Sequence, residues 1–533
     1  MSTASGTDQG SGATVLRALR WTCLAGVPLL LCVWAVRAPN RIHYDNALNL
    51  QYGQLLIDGK VPYVDFVDTN PPLIMYVNAI PAYVARRLGL NPITVFSLCV
   101  VAVVTWSMVV MHAQLKRGLP SHQGLGPLSL VSLWGGFNLL MWIAGPFGQR
   151  EHLFVLLYVP FLLLRWRRWS GAAVLPVPAI LVAVAAAVGV CLKPYFALPA
   201  LAVEAWALLV ARRPAALAQP EIAAFVATGV VYLVHFLLLP AAARAQLVGR
   251  WLPLLWRGYA VYGLPWTDTL NKTAIACMLV GIIGLVAVRL FRRSSVGTLI
   301  GMVATFTVGA VAGYLIQRKG WPYHQIPSIA GAALCVGVLA LAIDGTASVR
   351  AASTWPLKVL RAAVVAVPVT FLVVIIATTW RLGQFDSEHG LRTFGPLMEA
   401  YTREGEPVLF LSTSVQPAYP AILQAHRQPG SRYLWLFPIP MLVGGTSPGA
   451  DAPAEERRFL SELTEDIARR RPPLIFVGDT AFCQGCPRGF NLARYLEAAG
   501  PLQLIRRNYQ EMGAVGGFTP FVLRERVTRG EAR

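Results

Sequence analysis

The sequence predicts a polytopic α-helical membrane protein of about eleven transmembrane helices, followed by a small extracytoplasmic α/β domain at the carboxyl end. Three observations carry this prediction. Hydrophobic residues make up 55% of the 533-residue chain against 14% charged, with a mean hydropathy of +0.53, which excludes an ordinary soluble protein. Apolar runs bounded by charge recur through the first 380 residues. After Trp380 the texture changes, and short β-rich runs alternate with amphipathic stretches.

Residues 1–14 are small and polar and read as a disordered cytoplasmic leader. Arg17 and Arg20 then precede an apolar run at 21–36 with no small-residue cleavage site behind it, so the first helix is expected to be an uncleaved anchor. Candidate spans fall at 19–36, 93–111, 128–144, 153–164, 172–192, 195–210, 222–239, 274–288, 296–316, 326–343 and 362–379. With the amino terminus inside, every even-numbered span ends in a basic cluster: Lys116-Arg117; Arg165, Arg167 and Arg168; Arg212-Arg213; Arg289, Arg292 and Arg293; Arg350, Lys358 and Arg361. The positive-inside rule makes that side cytoplasmic and leaves the carboxyl-terminal domain outside. The span at 153–164 is short, since a crossing needs about twenty residues. The segment 73–84 opens with Pro71-Pro72, contains Asn78 and Pro81 and closes on Arg86-Arg87, which reads as an interfacial or re-entrant helix on the outer face. The domain boundaries are thus 1–14, 15–380 with a first outer loop at 37–92, and 381–533.

The excess of 46 Lys+Arg over 26 Asp+Glu follows from basic cytoplasmic loops and anionic headgroups, and does not imply nucleic acid. In the carboxyl-terminal region, strands are expected at 408–411, 433–437, 474–477 and 502–505, with helices at 455–469 and 491–498. That alternation predicts a largely parallel sheet. The turn Ser412-Thr413-Ser414-Val415-Gln416-Pro417 lacks a glycine fingerprint for a dinucleotide. Cys483-Gln484-Gly485-Cys486 has no second cysteine pair to complete a zinc site and reads as a small structural disulfide, a redox dithiol being the sharper alternative.

The predicted topology places four polar loops on one face: Asp45, Asp65 and Asp68 in the first; Gly148-Gln149-Arg150-Glu151-His152 in the second; Lys193-Pro194-Tyr195 in the third; and Gln317-Arg318-Lys319-Gly320-Trp321-Pro322-Tyr323-His324 in the fourth. A single Lys or Arg at a membrane border is ordinarily a snorkelling anchor. Carboxylates, cations and histidines gathered from distant loops look instead like a site for an anionic, lipid-linked group.

Here the chain resembles the GT-C superfamily of polyprenyl-phosphate-sugar glycosyltransferases, in the group of protein O-mannosyltransferases and the lipid A aminoarabinose transferase. The resemblance rests on the first helix followed by an outer loop with an early Asp45, on Gly59-Lys60-Val61-Pro62-Tyr63 and Asn70-Pro71-Pro72-Leu73, and on the Arg150 loop, across residues 15–345. It implies sugar transfer from a polyprenyl phosphate to the hydroxyl of a glycan, lipid or protein acceptor, with inversion at the anomeric carbon. Asp45 would be the base. Arg150, Lys193, Arg318, Lys319 and His324 would hold the donor phosphate, while Asp65, Asp68, Glu151 and Tyr323 would bind substrate or brace the loops. Asp45-Asn46 stands where many relatives carry an acidic pair, so the sequence does not itself indicate a divalent metal and leaves one open. The alternative from another class is a secondary transporter or flippase of lipid-linked sugars, although charges here cluster in loops and no internal repeat is visible. A non-catalytic assembly subunit would leave the four-loop cluster unexplained.

Overall fold

The computed structural model describes residues 8–119, 126–291, 294–344, 385–444, 452–478 and 483–528, together with 373 and 377. In chain order the α-helices of six or more residues to residue 344 are α1 (Asp8–Arg37), α2 (Tyr44–Ile57), α3 (Leu73–Leu88), α4 (Pro92–Gly118), α5 (Gly126–Ala144), α6 (Arg150–Trp169), α7 (Pro176–Cys191), α8 (Ala197–Ala211), α9 (Pro220–Leu238), α10 (Ala241–Gln246), α11 (Leu252–Gly258), α12 (Lys272–Phe291), α13 (Ser295–Gln317) and α14 (Ile326–Asp344). A π-helical turn, Leu247–Trp251, joins α10 to α11. Among the described residues, six helices are long and apolar enough to cross a membrane: Pro92–Gly118, Gly126–Ala144, Pro220–Leu238, Lys272–Phe291, Ser295–Gln317 and Pro322–Ile343. Leu24–Arg37, Pro176–Cys191 and Pro194–Val210 are shorter apolar helices. The protein is therefore a helical membrane protein. The expected span at 362–379 lies outside the described residues apart from 373 and 377.

The chain divides into two compact units, the first made of Met1–Arg37, Ser97–Val234 and Leu264–Phe385. Within it α13 is the hub, packing on α6, α8, α12 and α14. Small residues permit this closeness, since a Cβ at Gly301 would stand 1.9 Å from the Trp206 ring. The short fourth span resolves differently from its expected boundaries: α6 runs over 20 residues from Arg150 to Trp169, about 30 Å at the usual helical rise. The expectation missed its ends because both are charged, and these charges are buried rather than solvated. The amino-terminal leader is also shorter than expected. α1 already begins at Asp8, because extending a helix from an apolar nucleus costs little.

The second unit combines Ala38–Phe96, His235–Gly263 and Asp386–Arg533. Its carboxyl-terminal part contains α15 (His389–Tyr401), α16 (Ala418–Gln424), α17 (Ala452–Arg470), α18 (Leu492–Ala498) and α19 (Pro501–Asn508). A five-stranded sheet is ordered β2-β1-β3-β5-β4, from β1 (Pro407–Leu411), β2 (Gln428–Pro429), β3 (Leu474–Gly478), β4 (Tyr509–Glu511) and β5 (Phe518–Leu523). β2, β1 and β3 are parallel, and β5 and β4 close the edge antiparallel, so the sheet is mixed rather than largely parallel. Two expected strands are not strands. Residues 502–505 lie in α19, where Leu502 and Ile505 are buried three residues apart on one helical face. Residues 433–437 are drawn away from the sheet: Asp466 accepts from the Arg432 backbone N–H at 2.7 Å and from Ser431 Oγ at 3.0 Å, and Tyr433 bridges Val67 of the first loop. β5 escaped notice because Pro520 interrupts it, a residue that argues against a strand unless its missing N–H costs no ladder bond. Cys483 and Cys486 are joined in a disulfide, and the Gln484 side chain donates to the Tyr262 carbonyl at 2.9 Å.

Residues 37–92, expected as an outer loop, also hold a helix that the sequence reading lacked. α2 opens at His43, whose Nδ1 accepts from the Asp45 N–H at 3.4 Å, and packs on α3. The two backbones meet at Gly53, where a Cβ would lie 2.5 Å from the Asn78 carbonyl carbon and oxygen. Alanine at an open helical site stabilises by up to about 1 kcal/mol over glycine. Here Gly53→Ala is expected to do the reverse, costing about 1–3 kcal/mol by overpacking, read as a lowered Tm in detergent; a raised Tm would mean that α2 and α3 do not touch there.

Candidate functional site

The site is built on the first turn of α6. His152 is fully buried, and its Nδ1 accepts from the Gly148 N–H at 2.9 Å. Its proton must then reside on Nε2, which donates to Asn138 Oδ1 at 2.8 Å. The neutral imidazole thereby fastens the turn that presents Arg150 and Glu151.

Two separate segments converge on that turn. Lys193, between α7 and α8, donates from Nζ to Glu151 Oε1 at 3.0 Å and to His324 Nε2 at 2.8 Å, and His324 Nε2 lies 3.7 Å from Glu151 Oε1. Arg150 and Lys319 stand within electrostatic reach of His324. Lys193 is half-buried and the other four are withdrawn from water: Glu151 is 1% exposed, His324 4%, and Arg150 and Lys319 6% each. An ammonium can only donate, so His324 Nε2 accepts and the ring proton sits on Nδ1. That N–H has no hydrogen-bond partner among the described residues, and neither has Glu151 Oε2. One and four positions onward, Gln325 and Ser328 are 4% and 1% exposed, with Gln325 Oε1 and Ser328 Oγ likewise unpartnered among the described residues. Each buried polar group left this way costs about 1–3 kcal/mol. A polar ligand seated here would recover that cost.

The other expected residues of the fourth loop divide. Tyr323 is buried with its ring edge-on to His324 at 4.7 Å, and Trp321 lies edge-on to the same imidazole at 5.2 Å. Arg318 caps α13 in the left-handed region, at φ 50°. Its guanidinium is used elsewhere, donating to the Leu264 carbonyl at 3.0 Å and lying 4.9 Å over Trp266. Lys319 is pulled down to about 8 by burial first, with Lys193 and Arg318 adding repulsion.

The three aspartates belong to the second unit. Asp45 is half-buried in the first turn of α2, where the helix dipole favours a carboxylate, and burial together with its charge raises the Tyr44 hydroxyl. Asp65 braces its own loop, taking the Val61 N–H at 2.8 Å. Asp68 is 1% exposed and accepts from Asn70 Nδ2 at 2.7 Å, and its charge, behind burial itself, raises the Tyr52 hydroxyl.

Among the described residues, no group of three or more His, Cys, Asp or Glu could hold a metal ion. No protein-family model and no curated protein matches the chain. The sequence reading missed Gln325 and Ser328, although polar residues one and four positions after His324 in an otherwise apolar helix are the signal that would have found them.

Lys319 gives the cluster a pH dependence of definite sign. It is cationic below about 8 and neutral above, so affinity for an anion of constant charge, such as a polyprenyl phosphodiester, is expected to fall as pH rises through about 8. Binding isotherms from pH 6 to 10 should show that fall in the wild type and a flatter profile in Lys319→Gln; identical profiles would remove Lys319 from the site. The stability contribution runs the other way. The unfolded chain holds this proton up to about 10.5, so the residue's share of stability rises between those two values.

Proposed function

We propose that the protein is a membrane glycosyltransferase that moves a sugar from a polyprenyl phosphate to an acceptor hydroxyl on the outer face of the plasma or inner membrane. The observation that supports this most is the meeting of Lys193 and His324 on Glu151, with Arg150 and Lys319 buried within electrostatic reach of His324 and the His324 N–H held open. A transferred sugar leaves behind a phosphate on which charge grows as the glycosidic bond breaks. Preorganised donors in a dry site lower that barrier most where the charge develops. Lys193 and Arg150 would neutralise it, and His324 would donate from Nδ1.

On this reading the acceptor oxygen attacks the anomeric carbon, the bond from that carbon to the phosphate oxygen breaks with its electron pair going to phosphate, and the hydroxyl proton passes to the Asp45 carboxylate. Attack opposite the leaving group inverts the anomeric centre. Asp65 and Asp68, already committed to their loop, take no proton, and Arg318 serves as an interfacial clasp. The amino terminus and the basic ends of the even spans lie in the cytoplasm, and the carboxyl-terminal domain lies outside, following the distribution of Lys and Arg.

Two measurements test the assignment. Asp45→Asn, nearly isosteric, is expected to lower turnover about 10²- to 10⁴-fold while leaving undecaprenyl phosphate binding unchanged; turnover equal to wild type would exclude Asp45 as the base. Lys193→Gln and His324→Ala are each expected to weaken undecaprenyl phosphate by about tenfold or more, while Arg318→Gln does not. Unaltered affinity in both of the first two variants would move the phosphate away from this cluster.

A further inference from the structure

Residues 241–258 contain no acidic residue, and Arg244, Arg250 and Arg257 are their charged side chains. One face of this two-helix segment is fully used. Ala243, Leu247, Arg250, Trp251, Leu254 and Gly258 are buried at helical spacing: Arg250 is paired with Glu455 and Glu462 of α17, and the Trp251 ring lies 5.6 Å from Phe437. The opposite face is apolar and open. Val248 is 52% exposed, Leu252 46% and Trp256 90%, each four residues from the last and therefore on one side of the helix.

An apolar stripe flanked by arginines and crowned by tryptophan suits the border between acyl chains and headgroups. Chain continuity selects the bilayer as the occupant. α9 is of membrane length with only 6% of its apolar window buried within the protein, and its last residues Leu237 and Leu238 remain exposed. The stripe's helix starts three residues later, and Arg244 donates to the Leu237 carbonyl, which fixes it to the end of the span. Leu252 and Trp256 therefore begin within a few turns of the membrane border.

We propose that residues 241–258 lie in the membrane interface as a second interfacial helix, with Val248, Leu252 and Trp256 at the acyl boundary and Arg244 and Arg257 among anionic phosphate headgroups. Through Arg250 the same segment grips α17, so it ties the carboxyl-terminal domain to the lipid surface. This assignment is independent of the proposed chemistry.

The full-length protein in vesicles of phosphatidylcholine and phosphatidylglycerol tests it, with lipids brominated at graded acyl depths. The emission of Trp256, taken as wild type minus Trp256→Phe, should be quenched most by bromine placed near the headgroup end and should be shielded from aqueous iodide. Leu252→Trp in the Trp256→Phe background repeats the measurement at a second point of the stripe. Quenching by iodide with no response to brominated lipid would overturn the proposal, and so would shielding from both, which would mean that protein covers the stripe.

Discussion

Charge held away from water at both ends of one helix is the constraint on which the first unit depends. α6 is buried along most of its length, yet it starts with Arg150 and Glu151 and ends with Arg165, Arg167 and Arg168. Charges so placed must be paired or they would neutralise or unfold the helix. At the far end Arg165, fully buried, meets Glu204 through two parallel bonds at 2.8 and 2.9 Å and Glu221 at 3.2 Å, and Trp169 Nε1 completes Glu204 at 3.0 Å. That network answers nearly every polar atom and reads as a staple for the loop between α8 and α9. The near end is different in kind. Lys193 and His324 come from other segments to meet Glu151, but the set leaves donors and acceptors open. One helix thus carries a closed polar network and an open one, and the open one is where a ligand has energetic reason to bind.

The second unit solves a different problem, which is to join three distant stretches of chain. Arginine does most of this joining because its fork satisfies several acceptors at once. Arg432 and Asp466 lock the turn after β2 onto α17, Arg470 reaches the Asp65 carbonyl at 3.3 Å, and Arg250 joins α17 to the segment after α9. Burial holds the Asp466 carboxyl up, but the hydrogen bonds and charge of Arg432 outweigh it and keep the group ionised below the usual range.

The apolar spans were legible in the sequence because hydropathy over about twenty residues is set by the bilayer. α6 was legible only in its middle, since hydropathy cannot register a charged end that tertiary contacts bury. The gathering of Arg150, Glu151, Lys193, Lys319 and His324 could be anticipated from loop sidedness alone, whereas Arg318, adjacent to Lys319, points to Leu264 and Trp266 by a left-handed cap that no composition reveals. α2 was hidden because its buried face carries Asn46, Asn49 and Gln51, which reads as loop until α3 is seen to cover it. In the carboxyl-terminal domain β1 and β3 announce themselves as continuous apolar runs, but residues 433–437, equally apolar, are claimed by Val67 and Asp466. Local pattern specifies a strand only when no other part of the chain competes for it.

The central claim is that the open polar set at the start of α6 receives a phosphate. An experimentally determined structure of the protein with undecaprenyl phosphate bound tests it most directly. The account predicts phosphate oxygens within hydrogen-bond distance of Lys193 Nζ and His324 Nδ1, with the isoprenoid tail running between helices of the first unit. A phosphate bound instead among Arg117, Arg167 and Arg168, with Lys193 still closed on Glu151 and His324, would contradict it.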